Sequence, residues 1–322
     1  MARRNGTALT LYDSVNPLYR LSRIFQISPY RRRNGKIVGL CKLDKLISSV
    51  YIIVIIVSIF WTNYGQLNFS CDADLKLPCI VDIIFTFPIF VLIVFSIALT
   101  TLKSDDKLLE FYRKLSTLDK FNFTLEELEY ANFLTILVKN IALTYVLATL
   151  LSVPDVIVTV IELGISRASY FFSLNFSYYY ILLIVFQITT PVVILLRRFK
   201  ILNKHLKSFQ TVYVHHGKLF IVMTKPRYLR NLGKVHSLLC DLIENFNQIH
   251  GIQIVLIHCS IISLALLCFN YTLWSEDFLS NYFKDKRYIT AFMIMKITSV
   301  VFYIVVPGNG DYQVLHRGKK RG

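Results

Sequence analysis

Residues 46–64, LISSVYIIVIIVSIFWTNY, carry no charge over nineteen positions. As a helix they reach about 28 Å, the depth of the hydrocarbon core of a bilayer. A helix that is apolar on every side has no face to offer water, so it must lie in lipid or wholly inside protein. Five more blocks repeat the pattern, at 80–101, 133–163, 170–196, 252–274 and 288–306. In lipid each segment must satisfy its own backbone N–H and C=O groups, which selects helices. The expected fold is therefore all-α: a polytopic membrane helix bundle with six spans. The third block is longer than one span needs, and Lys139 near its start can snorkel to the interface.

The segments between the blocks fix the orientation. Lys and Arg number ten in residues 1–45, five in 102–134, ten in 197–251 and four in 307–322. The alternate segments carry one in 65–79, one in 164–169 and three in 275–287. The positive-inside bias places the N-terminus and, with six spans, the C-terminus in the cytoplasm. A seven-helix G-protein-coupled receptor would need its N-terminus outside. The net charge of +16 is explained by these basic segments rather than by nucleic acid, for which the chain carries no motif. The first 45 residues show no apolar core of a cleavable signal peptide, so the first span would serve as its own insertion signal. The expectation is a multi-pass protein of the cell membrane.

The organisation follows from this. Residues 1–45 form a cytoplasmic N-terminal segment, and 46–196 hold the first four helices. Residues 197–251 are read as cytoplasmic helical extensions, because 195–209 and 229–249 place apolar residues at helical spacing among basic and amide residues. Residues 252–306 hold the fifth and sixth helices, and 307–322 a polar tail.

No catalytic constellation is present: there is no GxSxG, P-loop, HExxH or acidic pair in a loop. The chain is read as a non-enzyme. His215 and His216 are adjacent but lack further ligands, so no metal or cofactor is expected. The candidate binding residues lie inside the spans. Asp155 follows Pro154 in the third, Lys296 lies deep in the sixth, and both ionisable groups are costly in lipid unless they face protein or water. Pairing of Asp155 with Lys296 across a shared outer cavity stands beside the simpler reading that Lys296 snorkels. Tyr178, Tyr179 and Tyr180 in the fourth span, with Asn270 and Tyr271 in the fifth, supply aromatic walls with hydrogen-bonding groups, as a pocket for a small organic ligand requires. The assigned orientation puts them in the outer half of the membrane. An interfacial aromatic belt accounts for Tyr170 and Trp274. Cys71 and Cys79 bracket the first outer loop and can close a short ring in an oxidising exterior. Asn68, in the same loop, heads a glycosylation sequon.

Two stretches carry a resemblance. Arg198-Phe199, Leu202-Asn203 and Leu206 resemble the run that follows the fourth helix of insect gustatory receptors. Leu232, His236, Leu239, Cys240, Asn247, Gln253 and Ile254 resemble the entry to their fifth helix. The resemblance extends from about residue 15 to 306. It implies a seven-helix chain of inverted topology that assembles as a tetrameric, ligand-gated cation channel with related subunits. It further implies a tastant pocket in the outer half of the helices, seventh helices lining the pore, and cytoplasmic extensions forming an inter-subunit anchor. The Thr-Tyr…Gln-Phe seventh helix of that family has no counterpart here. The chain instead ends PGNGDYQVLHRGKKRG, from which we expect a truncated, non-conducting form. A metabotropic receptor, a transporter and a regulatory non-conducting subunit are the alternatives.

Overall fold

The computed structural model describes residues 11–28, 31–33, 36–65, 76–102, 107–118, 127–212 and 226–273. The elements are α1 (Leu11–Ile24), β1 (Arg31–Arg33), β2 (Lys36–Val38), α2 (Lys42–Gly65), α3 (Lys76–Leu102), α4 (Lys107–Thr117), α5 (Glu127–Val212) and α6 (Pro226–Leu273). The chain is a polytopic helical bundle, and β1 and β2 form a short antiparallel ribbon. Among the described residues, five stretches are long and apolar enough to cross a membrane: Lys42–Gly65, Ile83–Thr100, Asn132–Pro154, Phe176–Leu206 and Arg230–Leu266. The expected sixth span at 288–306, with Lys296, and the tail from 307 lie outside the described residues, as do Asn68, Cys71, His215 and His216.

Helix α2 begins with a sequence-coded cap. Asp44 Oδ2 accepts the Cys41 backbone N–H at 3.1 Å and the Cys41 thiol at 3.2 Å. A carboxylate three residues into the helix thereby satisfies a donor that the helix start leaves orphaned. The body of α2 has its large apolar residues on the outside: Leu46, Val50, Val54, Val57 and Phe60 are all exposed to the surroundings of the chain.

The most extensive helix pairing is α3 against α6. On α6 the buried residues include Leu232, Val235, Leu239, Leu242, Phe246, His250, Gln253, Ile257, Ser260 and Leu264, a run of three- and four-residue steps. That spacing keeps one face on a neighbouring helix over many turns. On α3 the facing residues are Ile89, Leu92, Ile93, Ser96 and Ile97, each at most 1% exposed. Two hydrogen bonds fix the register. Gln253 Nε2 donates to Ser96 Oγ at 3.0 Å, and Ser260 Oγ donates to the Pro88 carbonyl at 3.2 Å. Seven residues on α6 match eight on α3 in the opposite sense, so the helices are antiparallel. The seam is unbroken across 251–252, so the expected cytoplasmic extension and fifth span form one helix.

Helix α5 is helical from Glu127 to Val212, where the sequence suggests two separate helices. A straight helix would hold residues 34 apart at about 51 Å. Yet Tyr145 Oη donates to the Tyr179 carbonyl at 3.2 Å, Tyr179 Oη to Thr149 Oγ1 at 3.3 Å, and the Arg197 guanidinium lies 5.0 Å from the centre of the Phe133 ring. These contacts are centred close to Gly164. The path therefore reverses near there. Two antiparallel limbs result, an N-terminal one containing Asn132–Pro154 and a C-terminal one containing Phe176–Leu206.

Candidate functional site

Among the described residues, the candidate span in the C-terminal limb of α5 is the one most covered by protein. Tyr180, Leu182, Leu183 and Ile184 are each at most 1% exposed. The chain closes over them from its own N-terminus. After α1, Gln26 takes a left-handed backbone conformation, φ 56°, which turns the chain back. Gln187 Nε2 then donates to the Ile27 carbonyl at 2.9 Å, and Ser48 Oγ of α2 donates to Gln26 Oε1 at 3.2 Å. Ile27 becomes wholly buried. The segment 25–28 is thus held by α5 on one side and α2 on the other.

An aromatic cluster forms where the three meet. The Phe25 ring stands edge-on to Tyr180 at 5.0 Å and tilted to Phe176 at 5.9 Å, and Phe176 stands edge-on to Tyr180 at 5.6 Å. Such edge-to-face pairs are favourable beyond the area they bury. The Tyr51 ring of α2 is 6.5 Å from Tyr180. The buried Tyr180 hydroxyl lies within electrostatic reach of the Tyr51 phenol but has no partner in hydrogen-bonding geometry. On the other side of the limb, the Tyr179 and Tyr145 rings lie 5.9 Å apart. Below the cluster, a cavity of about 30 Å³ lies between α1, α4 and α5, with Ser22, Ser28, Gln187 and Thr190 among its polar walls.

Of the residues singled out in the sequence, Tyr178 and Tyr180 are buried and Tyr179 is half-buried on the C-terminal limb. Tyr51 lies nine residues into α2, about 13 Å from its start at Lys42. Phe25 belongs to the basic N-terminal segment. Tyr180 therefore sits where a residue of the N-terminal segment meets α2 and α5. The sequence places the fourth span at 170–196, ending at Arg197-Arg198, and the candidate span here is Phe176–Leu206. Within it Thr190, Pro191 and Ile194 share a cavity with Val15, Leu18 and Tyr112.

Asp155 is in the helical stretch near the reversal of α5, and Asn270 and Tyr271 are in the last turns of α6, but their side chains lie outside the described residues. So does that of Cys79, at the start of α3. Among the described residues, no group of three His, Cys, Asp or Glu side chains is placed to hold a metal ion.

Sequence reading did not find the polar core of the α3–α6 seam as a unit. Within α6, His250 Nδ1 lies 2.6 Å from Gln253 Oε1, while Gln253 Nε2 reaches Ser96. One amide thus ties two helices and a buried imidazole together. The signal for it was a Gln and a His three residues apart on an otherwise apolar face, with a Ser 157 residues earlier that no local pattern connects to them.

A bundle of long apolar helices tied by buried polar contacts defines a multi-pass membrane protein. Residues 15–308 match the 7tm chemosensory receptor family, and the chain belongs to it. That family is not an enzyme family. A comparison with individual characterised proteins gives no match.

Proposed function

We propose that this chemosensory receptor is of the gustatory type: a subunit of a ligand-gated cation channel in the cell membrane that opens when a small organic tastant binds among its helices. The observation that carries the reading is the family match over 15–308, read with the run Arg198-Phe199…Leu202-Asn203…Leu206 at the end of α5. The cluster around Tyr180 supports a binding role. It joins aromatic surface to a buried phenol without a hydrogen-bonding partner, and it lies where α1, α2 and α5 meet, so an occupant there would bias three segments at once. Asp155, Asn270, Tyr271 and Lys296 are proposed to contribute from the outer side. Assembly as a homo- or hetero-tetramer with related subunits belongs to the same proposal.

The test is expression of the chain in oocytes, alone and with a related receptor subunit, under a panel of sugars, bitter alkaloids and amino acids. The expected outcome is a tastant-evoked cation current on co-expression with the related subunit that survives block of G-protein signalling. A response abolished by that block would instead favour a metabotropic receptor. Saturable substrate uptake without gated current would favour a transporter.

A further inference from the structure

We propose that the basic segment joining α1 to α2 is a binding site for the anionic headgroups of membrane phospholipids. Residues 20–45 contain eight Lys or Arg and a single acid, Asp44. The Asp44 carboxylate accepts from the Cys41 N–H and thiol and so serves the start of α2. Arg20, Arg23 and Lys42 are exposed. Arg31, Arg32 and Arg33 make up all of β1, and the register sets Arg33 directly opposite Lys36. Neighbouring strands lie about 4.8 Å apart, so the ribbon folds four cations into the width of one strand pair. Like charges placed opposite each other destabilise an antiparallel ribbon. An external anion removes that cost.

The position of the ribbon says which anion. Its second strand contacts α4 and leads, three residues later, into α2. Helix α2 is the span least covered by protein, with Leu46, Val50, Val54 and Val57 facing outward. Lipid tails along that face bring their headgroups to Lys42 and Lys45 and to the ribbon beside them. Orientation alone requires only an excess of cations on one side, however scattered. An Arg triplet folded back onto a Lys concentrates them as scattered charge does not. Guanidinium groups suit phosphate oxygens because they can donate two hydrogen bonds in parallel. Clusters of four to eight cations beside a span are the pattern that attracts anionic lipid. The inference is independent of the identity of the tastant and of whether the chain gates a current.

The test uses the full chain purified in a neutral detergent and titrated with a fluorescent short-chain phosphatidylinositol bisphosphate, with phosphatidylcholine as the uncharged comparison. The combined substitution Arg31→Gln, Arg32→Gln, Arg33→Gln and Lys36→Gln should weaken binding at least about tenfold, whereas Lys200→Gln, Lys204→Gln, Arg230→Gln and Lys234→Gln should weaken it less than about threefold. Replacing the three ribbon arginines by Lys should weaken binding less than the Gln variant does, because the charge is kept and the paired guanidinium donors are lost. If the ribbon variant does not fold, Arg20→Gln with Arg23→Gln and Lys42→Gln, all at exposed sites, reads the same cluster and should also weaken binding. Equal losses in the ribbon and control variants would overturn the site, as would equal binding of phosphatidylcholine. Competition by free inositol trisphosphate as strong as that of the lipid would overturn the membrane source and leave a free-phosphate site.

Discussion

Helix α2 and the C-terminal limb of α5 have the same mean hydropathy, yet 6% of the α2 span is buried against protein and 67% of the α5 span is. Apolar content records only that a segment avoids water. It does not say whether lipid or protein replaces the water. What separates the two helices is the company each keeps. Small and polar groups that make specific contacts line the α5 limb: Ser177, Gln187 and Thr190, with Ser14, Ser22 and Ser28 from the N-terminal segment against it. Helix α2 confines its buried polar positions to Ser48 and Thr62, one near each end. Between helices in lipid there is little hydrophobic driving force, so packing and buried hydrogen bonds decide which faces meet.

The largest expected effect tests that contrast directly. Leu183→Ala, at a fully buried position on α5, should lower stability by about 2 to 5 kcal/mol, because the removed methyl groups leave a cavity that rigid neighbours cannot fill. Thermal unfolding of the purified chain in detergent would measure it. A loss no greater than that of a matched substitution on α2 would erase the distinction between the two helices.

Much of this fold is legible in the sequence. The apolar blocks give the five candidate spans, and the 3.5-residue stripe from Leu232 to Leu264 gives the seam of α6. How much protein covers the fourth span is not legible. Residues 188–196 read ITTPVVILL, which suits lipid and a protein interior equally well. Their environment depends on α1, about 170 residues earlier, folding onto them. The candidate site is legible only in part for the same reason. Tyr178–Tyr180 stand out as an aromatic run, but Phe25 and Tyr51 join Tyr180 through a turn at Gln26 that no residue pattern announces.

A smaller effect belongs to the polar seam, which stands between the two extremes. Gln253→Ala removes the donor to Ser96 and the partner of His250, leaving both groups buried, and should cost about 1 to 3 kcal/mol. A double-mutant cycle with Ser96→Ala isolates the interhelical bond, for which membrane helices give about 0.6 kcal/mol on average. Zero coupling would mean that the register of α3 on α6 rests on shape alone. Tyr145→Phe should be milder, about 0.5 to 1.5 kcal/mol, because it deletes one hydrogen bond between the limbs of α5 and keeps the ring contact with Tyr179.

The smallest expected effect is the most informative about α2. Val54 and Val57 are each about 60% exposed, so Val54→Ala with Val57→Ala removes methyl groups that touch no protein core. In a single chain the change in stability should stay within about 0.5 kcal/mol, since surface positions without special contacts rarely exceed it. The same measurement in the assembled receptor asks a different question. If the outward face of α2 meets lipid there too, the pair of substitutions remains silent. If another subunit covers that face, each lost methyl group is felt as a packing defect, and a loss well above 0.5 kcal/mol appears on assembly only. The contrast between α2 and α5 would then belong to the isolated chain, and α2 would be an interface helix whose apolar side matches a neighbour rather than a solvent.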